Sequence, residues 1–285
     1  MFKHVFACAF AAAASLATVA PAAVIYSTPG AAYTQNFDTL PNTPENVSLG
    51  NSPTGWIDDT ATPSTGNFSI PGWYVFHPAS LTEGGANAHQ RMRIGAGSSN
   101  TGSFWSYGTS TSTDRALGSL VSGTTVTTTP GQQYIAMRLT NSVGYTLDSF
   151  TLSYDGEQWR DGGNATPAAK TVTVEWSTTA SAINDSAAYT AAGSAFDFTS
   201  TVNGTAASSG FGNTTGKVSV TGGTISGINW LPGTDLWIRW KDPRLSGNNA
   251  GMAIDNVSLS AVPEPASLGL IAAAATLLGR RRRSR

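Results

Sequence analysis

Two stretches, Thr171-Val172-Thr173-Val174-Glu175-Trp176 and Leu236-Trp237-Ile238-Arg239-Trp240, decide how the chain folds. In the first, Val172, Val174 and Trp176 share one face while Thr171, Thr173 and Glu175 share the other, which is the two-residue period of a strand with one side buried. In the second, Leu236, Ile238 and Trp240 oppose Trp237 and Arg239. Met252–Leu259 alternates likewise, with Ala253, Asp255, Val257 and Leu259 opposite Met252, Ile254, Asn256 and Ser258, and either set can face inward. Further short apolar segments are Tyr33–Phe37, Trp73–Phe76, Arg91–Ile94, Leu117–Val121, Gln133–Leu139, Tyr145–Tyr154, Ala195–Phe198 and Lys217–Val220. Turns rich in Gly, Pro and Asn separate them, and no helix-period stretch or internal repeat intervenes. The pattern predicts an all-β, jelly-roll-like β-sandwich of about eleven strands. Ser181–Tyr189 reads as a short helix or a loop excursion.

The chain has 285 residues, with 16 Lys+Arg, 17 Asp+Glu, three His and a single Cys. These counts exclude a disulfide-stapled scaffold, a Cys-based metal knuckle and a generally basic nucleic-acid binder. The near-balance of charge hides an uneven distribution. Residues 24–262 carry ten basic and sixteen acidic side chains, a net of −6, while five arginines crowd the last six positions. Without a composition break or linker before Ala261, residues 24–261 read as one domain.

Both ends differ from this body. Lys3 and His4 precede the uncharged run Val5–Ala14 and the small-residue zone Ser15–Ala23, the three-part pattern of a secretory signal peptide over residues 1–23. Cys8 falls inside it. Sec-type export machinery is therefore an expected partner. At the other end, Val262-Pro263-Glu264-Pro265 blocks a continuous helix. Residues 266–279 are uncharged, and Arg280, Arg281, Arg282, Arg283 and Arg285 follow. A helix of that length rises only ~21 Å, short of a full crossing unless the arginines snorkel.

The order of motif, short apolar helix and Arg tail over residues 262–285 resembles the PEP-CTERM protein-sorting signal of Gram-negative bacteria. That resemblance implies exosortase, a membrane protease-transpeptidase, as a partner. It also implies transient inner-membrane contact through the C-terminus, a final place at the cell surface or outside the cell, and the company of exopolysaccharide. Phe37-Asp38, Asp155–Arg160 and Leu236–Val257 together resemble the laminin-G-like or carbohydrate-binding-module-like sandwiches often attached to this signal. This second likeness implies a fold rather than an activity.

Within the body, Asp155-Gly156-Glu157-Gln158-Trp159-Arg160 is the richest segment. On a strand, Asp155, Glu157 and Trp159 share a face. Carboxylates that accept sugar hydroxyls beside an indole that stacks on a pyranose make a glycan-binding surface. The ~6.6 Å between alternate strand positions also lies in the range of an inverting glycosidase pair. A solvated edge with Glu157 paired to Arg160 or Arg138 is the plainer alternative. Trp237 and Arg239 either fill a core or offer a second glycan face. Asp255, set among apolar neighbours in the last strand, needs a hydrogen bond, an ion partner or a metal. With Asp38 near the first strand and Asn256, it can share a structural Ca²⁺, or else cap backbone.

His77 and His89 lack the partners of a zinc site. Neither a Gly-x-Ser-x-Gly elbow nor a full phosphate-cradling Gly motif occurs. The expectation is an exported, non-enzymatic surface or matrix protein with a structural or adhesive role, in contact with exopolysaccharide. A dedicated carbohydrate-binding module and a glycan-active enzyme are the alternatives.

Overall fold

A computed structural model describes residues 24–43, 56, 69–78, 92–123, 125–126 and 131–264. In chain order the strands are β1 (Val24–Tyr26), β2 (Tyr33–Gln35), β3 (Trp73–Phe76), β4 (Met92–Gly95), β5 (Ser103–Tyr107), β6 (Ala116–Leu120), β7 (Gln132–Asn141), β8 (Leu147–Asp161), β9 (Thr171–Ser177), β10 (Thr190–Ala191), β11 (Phe198–Thr199), β12 (Ser208–Ser209), β13 (Lys217–Trp230), β14 (Asp235–Pro243) and β15 (Gly251–Val262). They form two sheets. The first runs β1-β7-β14-β9-β10, with β3 also on β7 and β11 on β9. The second runs β12-β8-β15-β6-β5-β4, with β13 also on β8 and β2 on β15. Pairing is antiparallel except at β1–β7 and β4–β5. The body is a β-sandwich. Ser181–Tyr189 is a loop excursion, and Ser194–Phe196 forms one 3₁₀ turn.

The inner faces meet as the alternation requires. Val172, Val174, Leu236, Ile238 and Trp240 come from one sheet, and Leu152, Tyr154, Met252 and Ile254 from the other. Trp240 stacks on Trp73 with centroids 5.7 Å apart and takes the edge of Tyr154 at 5.5 Å. Each such ring buries a large apolar area, which stabilises a body that has no disulfide.

One strand breaks strict alternation, and the break positions the site. In β15, Asp255 faces Asp155 and Ser258 faces Ser153, so Asn256 and Val257 together oppose Tyr154 alone. This is a β-bulge, with Asn256 in the left-handed region at φ 49°. The extra residue shifts the phase. Met252 and Ile254 point inward before it, and Val257, Leu259 and Ala261 after it. The single-face grouping of Ala253, Asp255, Val257 and Leu259 expected from the sequence is thus divided at Asn256. Asp255 is left on the outer face of the second sheet.

Candidate functional site

On that outer face, β8 contributes Asp155, Glu157 and Trp159, and β15 contributes Ala253 and Asp255, with Glu157 opposite Ala253 and Asp155 opposite Asp255. The sequence groups these residues correctly but misjudges their access. Trp159 is 1% exposed. Its ring lies parallel to that of Tyr107 at 5.9 Å, and the chain at Gly212 crosses so closely that a Cβ there would fall 2.0 Å from the indole. Trp159 therefore belongs to a small second core with Trp105, Tyr107 and Leu120 and offers no ring to a sugar. Its Nε1 donates to Glu157 Oε2 at 2.7 Å.

Glu157 is equally buried, and its Oε1 has no hydrogen-bond partner among the described residues. It pairs with neither Arg160 nor Arg138. Arg160 Nη1 donates to Gly97 O and Ser98 O, and Arg138 binds Asp235 at 2.6 Å. Burial pushes the Glu157 carboxyl up to about 7, against the pull of the Trp159 hydrogen bond. Asp255 is 2% exposed. Burial, reinforced by the charges of Glu157, Asp114 and Asp38, pushes it up to about 8, although the Asn256 backbone N–H opposes the shift. Asn256 donates to both Asp255 oxygens, from N at 2.7 Å and from Nδ2 at 3.0 Å. Asp155 behaves differently. Burial raises it, but hydrogen bonds from Lys217 Nζ, Ser219 Oγ and Asn256 Nδ2 outweigh that and hold it below the usual carboxylate range.

The outer face of the first sheet is closed as well. Trp237 is 4% exposed and packs with Tyr74, Tyr134 and Ile183. The Arg239 guanidinium lies 4.5 Å from the Tyr134 ring centroid and 3.6 Å from that of Tyr189. It pairs with Glu175 at 2.7 Å and donates to Ile183 O and Asp185 O. The loop that carries Ile183, Asp185 and Tyr189 thus covers both residues, and the expected Trp237/Arg239 glycan face is a small satellite core.

Asp38 lies at the end of the segment that begins with β2, and β2 pairs with β15, so the first and last parts of the sheet do come together. Asp38 accepts from Asn36 Nδ2 at 2.6 Å and from Arg115 N at 3.3 Å. Among the described residues, no three His, Cys, Asp or Glu side chains gather closely enough to hold a metal ion by themselves.

Sequence reasoning missed a pocket of about 410 Å³ at the edge of the second sheet. Arg160, at the end of β8, and Arg244, just after β14, both line it, together with Asn100, Gly123, Ala207 and Asn248. Only the loop composition, Arg160-Asp161-Gly162-Gly163-Asn164 and Arg244-Leu245-Ser246-Gly247-Asn248-Asn249, pointed toward it.

The last strand runs directly into the C-terminal motif. Ala261 N donates to Tyr26 Oη at 2.8 Å, and Ala261 O accepts from Gly30 N at 2.8 Å. Val262 ends β15, Pro263 is buried and Glu264 is exposed. Pro265, the apolar stretch, the Arg tail, the N-terminal residues 1–23, His89 and Arg91 lie outside the described residues. No helix among the described residues is long and apolar enough to cross a membrane.

Residues 261–283 match the PEP-CTERM protein-sorting motif, so the chain carries that signal. No curated protein matches the chain. Among solved structures it is similar to TmCBM61 in complex with beta-1,4-galactotriose. That match has 8% identity and a TM-score of 0.26, over 53% of this chain and 74% of that one. The K3 cleaved adhesin domain of Lys-gingipain from Porphyromonas gingivalis w83 matches at 12% identity and a TM-score of 0.34, over 67% and 92%. An Arthrobacter globiformis T6 isomalto-dextranase complexed with panose matches at 13% identity and a TM-score of 0.28, over 66% and 23%.

Proposed function

We propose that this is an exported, non-catalytic β-sandwich protein that exosortase sorts to the cell surface or the extracellular matrix, where it has a structural or adhesive role in contact with exopolysaccharide. One observation carries this reading: the PEP-CTERM motif follows the last strand of the sandwich with no linker, since β15 ends at the motif's own Val262. A body joined so closely to its sorting signal is delivered wherever the signal is read. The carboxylates once suited to hydrolysis favour a structural role. Glu157 is buried and accepts from Trp159, and Asp155 is occupied by Lys217, Ser219 and Asn256. Inverting hydrolysis needs two carboxyls facing a water-filled gap.

A structural Ca²⁺ at Asp38, Asp255 and Asn256 belongs to the same reading. Asp255 is buried among like charges, and Glu157 beside it has an orphaned oxygen. Both features suit a cation, whose remaining ligands would be water and backbone carbonyls.

The sorting step is tested by Glu264→Ala in the producing cell. The variant is expected to accumulate at full length in the membrane fraction while the parent is processed. Identical processing and fractionation of the two chains would remove exosortase sorting from the account.

A further inference from the structure

Arg160 and Arg244 stand out in an acidic body. The ion-paired arginines Arg138 and Arg239 are used internally, by Asp235 and by Glu175. Arg160 and Arg244 have no carboxylate within ion-pair distance among the described residues, and both line the same pocket of about 410 Å³. Each is held in place by backbone. Arg160 Nη1 donates to Gly97 O and Ser98 O, both at 3.1 Å, and Arg244 Nη1 donates to Val126 O at 2.9 Å. One edge of each guanidinium fork is thereby fixed, and its remaining N–H groups are not taken by any described residue. Asp161, the acid next to Arg160, is spent elsewhere. Its Oδ1 accepts from Gly163 N at 3.1 Å and its Oδ2 from Gly204 N at 2.6 Å.

The pocket wall is built as firmly as the arginines. Asn164 and Asn248 lock two loops reciprocally: Asn164 Nδ2 donates to Asn248 O and Asn248 N donates to Asn164 Oδ1, both at 2.8 Å. Gly247, at φ 81°, allows the close approach, because a Cβ there would sit 2.4 Å from Asn164 Oδ1. Asn100 is exposed at the rim and can donate to or accept from a hydroxyl. Among the described residues no aromatic ring lines the pocket, so recognition by stacking on a sugar face is not what this geometry provides. Two anchored guanidinium groups without an anionic partner instead suit a planar carboxylate, which Arg binds bidentately. The volume suits one or two sugar rings.

We propose that the pocket between Arg160 and Arg244 binds the carboxylate of a uronic acid residue within an acidic polysaccharide. This rests on the glycan-contact part of the function proposed above and names the chemical class of that glycan. Neutral residues of the same polymer would lie outside the pocket, across the Asn100 rim.

The test uses the full chain in detergent and measures affinity for trigalacturonate, trimannuronate and a glucuronate-containing trisaccharide. Methyl-esterified trigalacturonate, neutral galactotriose, acetate and inorganic phosphate serve as comparisons. At least one uronate trisaccharide is expected to bind, and esterification to weaken it about tenfold or more. Arg244→Gln and Arg160→Gln are expected to weaken it similarly. Because both arginines also support loops, Ala207→Glu is the second probe: it places a competing carboxylate at the exposed rim and removes no contact. Loss of uronate binding in Ala207→Glu with an unchanged melting temperature supports the site. Binding of acid and ester with equal affinity, or uronate binding unchanged in all three variants, overturns it while leaving glycan contact intact. Equal binding of acetate, phosphate and the trisaccharide marks a simple anion site and overturns the sugar assignment. No binding of any saccharide up to about 10 mM removes both this inference and the glycan contact it rests on.

Discussion

The two outer faces of the sandwich bury charge in opposite ways. On the first sheet, Arg239 sits between two tyrosine rings, and Glu175 receives both Arg239 and Lys241. Burial would raise the Glu175 carboxyl, but the hydrogen bonds and charges of those two cations hold it below its ordinary range. On the second sheet, burial pushes both Glu157 and Asp255 well up, reinforced by the charges of Asp114 and Asp155 at Glu157 and by those of Glu157, Asp114 and Asp38 at Asp255. Burial pushes all three carboxyls upward and is the largest influence on each. The outcomes diverge because cations offset it at Glu175, while like charges add to it at Glu157 and Asp255. One face is complete as built, whereas the other holds a charge deficit that only protons or a cation can relieve.

The largest effect expected from this contrast is at Arg239. Replacing it with Met keeps much of the side-chain volume between Tyr134 and Tyr189 but leaves the half-buried Glu175 with Lys241 alone. Removing one partner of a fully buried pair costs about 3–5 kcal/mol. Because Glu175 is half-buried and keeps Lys241, chemical denaturation should show a loss near the lower end of that range. A change below about 1 kcal/mol would mean that the loop over this face contributes little, and the two faces would then be less different than they look.

The second face should respond to pH instead. In EDTA, Glu157 and Asp255 are protonated in the folded chain at a pH where the unfolded chain has already released those protons. Their stabilising contribution is therefore complete below pH ~4 and is lost as pH rises toward ~8, by an amount on the order of a few kcal/mol. The melting temperature should fall over that interval, and Glu157→Gln with Asp255→Asn should flatten the fall. Calcium sharpens the comparison further. Because the metal needs ionised ligands, its removal should lower the melting temperature at pH 8 and have little effect at pH 5. An absence of any EDTA effect at both values, together with no metal by elemental analysis, would leave the Asn256 hydrogen bonds, and no cation, to hold Asp255.

The period-2 pattern made the inner faces legible from sequence, because apolar alternation and sheet pleat have the same repeat. Val172/Val174 and Leu236/Ile238/Trp240 all point as their spacing requires. It failed where the backbone adds a residue, as at Asn256, since a bulge changes phase without changing composition. It also failed on access. Trp159 and Trp237 are correctly placed on outward faces, yet both are buried by loops, around Gly212 in one case and carrying Tyr189 in the other. Strand spacing says nothing about which loop folds back over which face. For the same reason the Arg160–Arg244 pocket was illegible: its arginines are 84 positions apart and meet only where three loop regions converge.

The smallest effect separates the buried carboxyls from their half-buried neighbour Asp155. Asp155 shares a face with Glu157 but is held down by Lys217, whose side chain is about one-third exposed. An ion pair that water reaches contributes only about 0–1 kcal/mol, so Lys217→Met should change stability by no more than that. Its informative consequence lies next door. Lys217 also draws the Glu157 carboxyl downward, so removing it should move the midpoint of the pH-dependent fall to higher pH and deepen the fall in proportion. A midpoint that stays in place would show that Glu157 does not sense Lys217, and that burial, not the balance of neighbouring charge, governs this face.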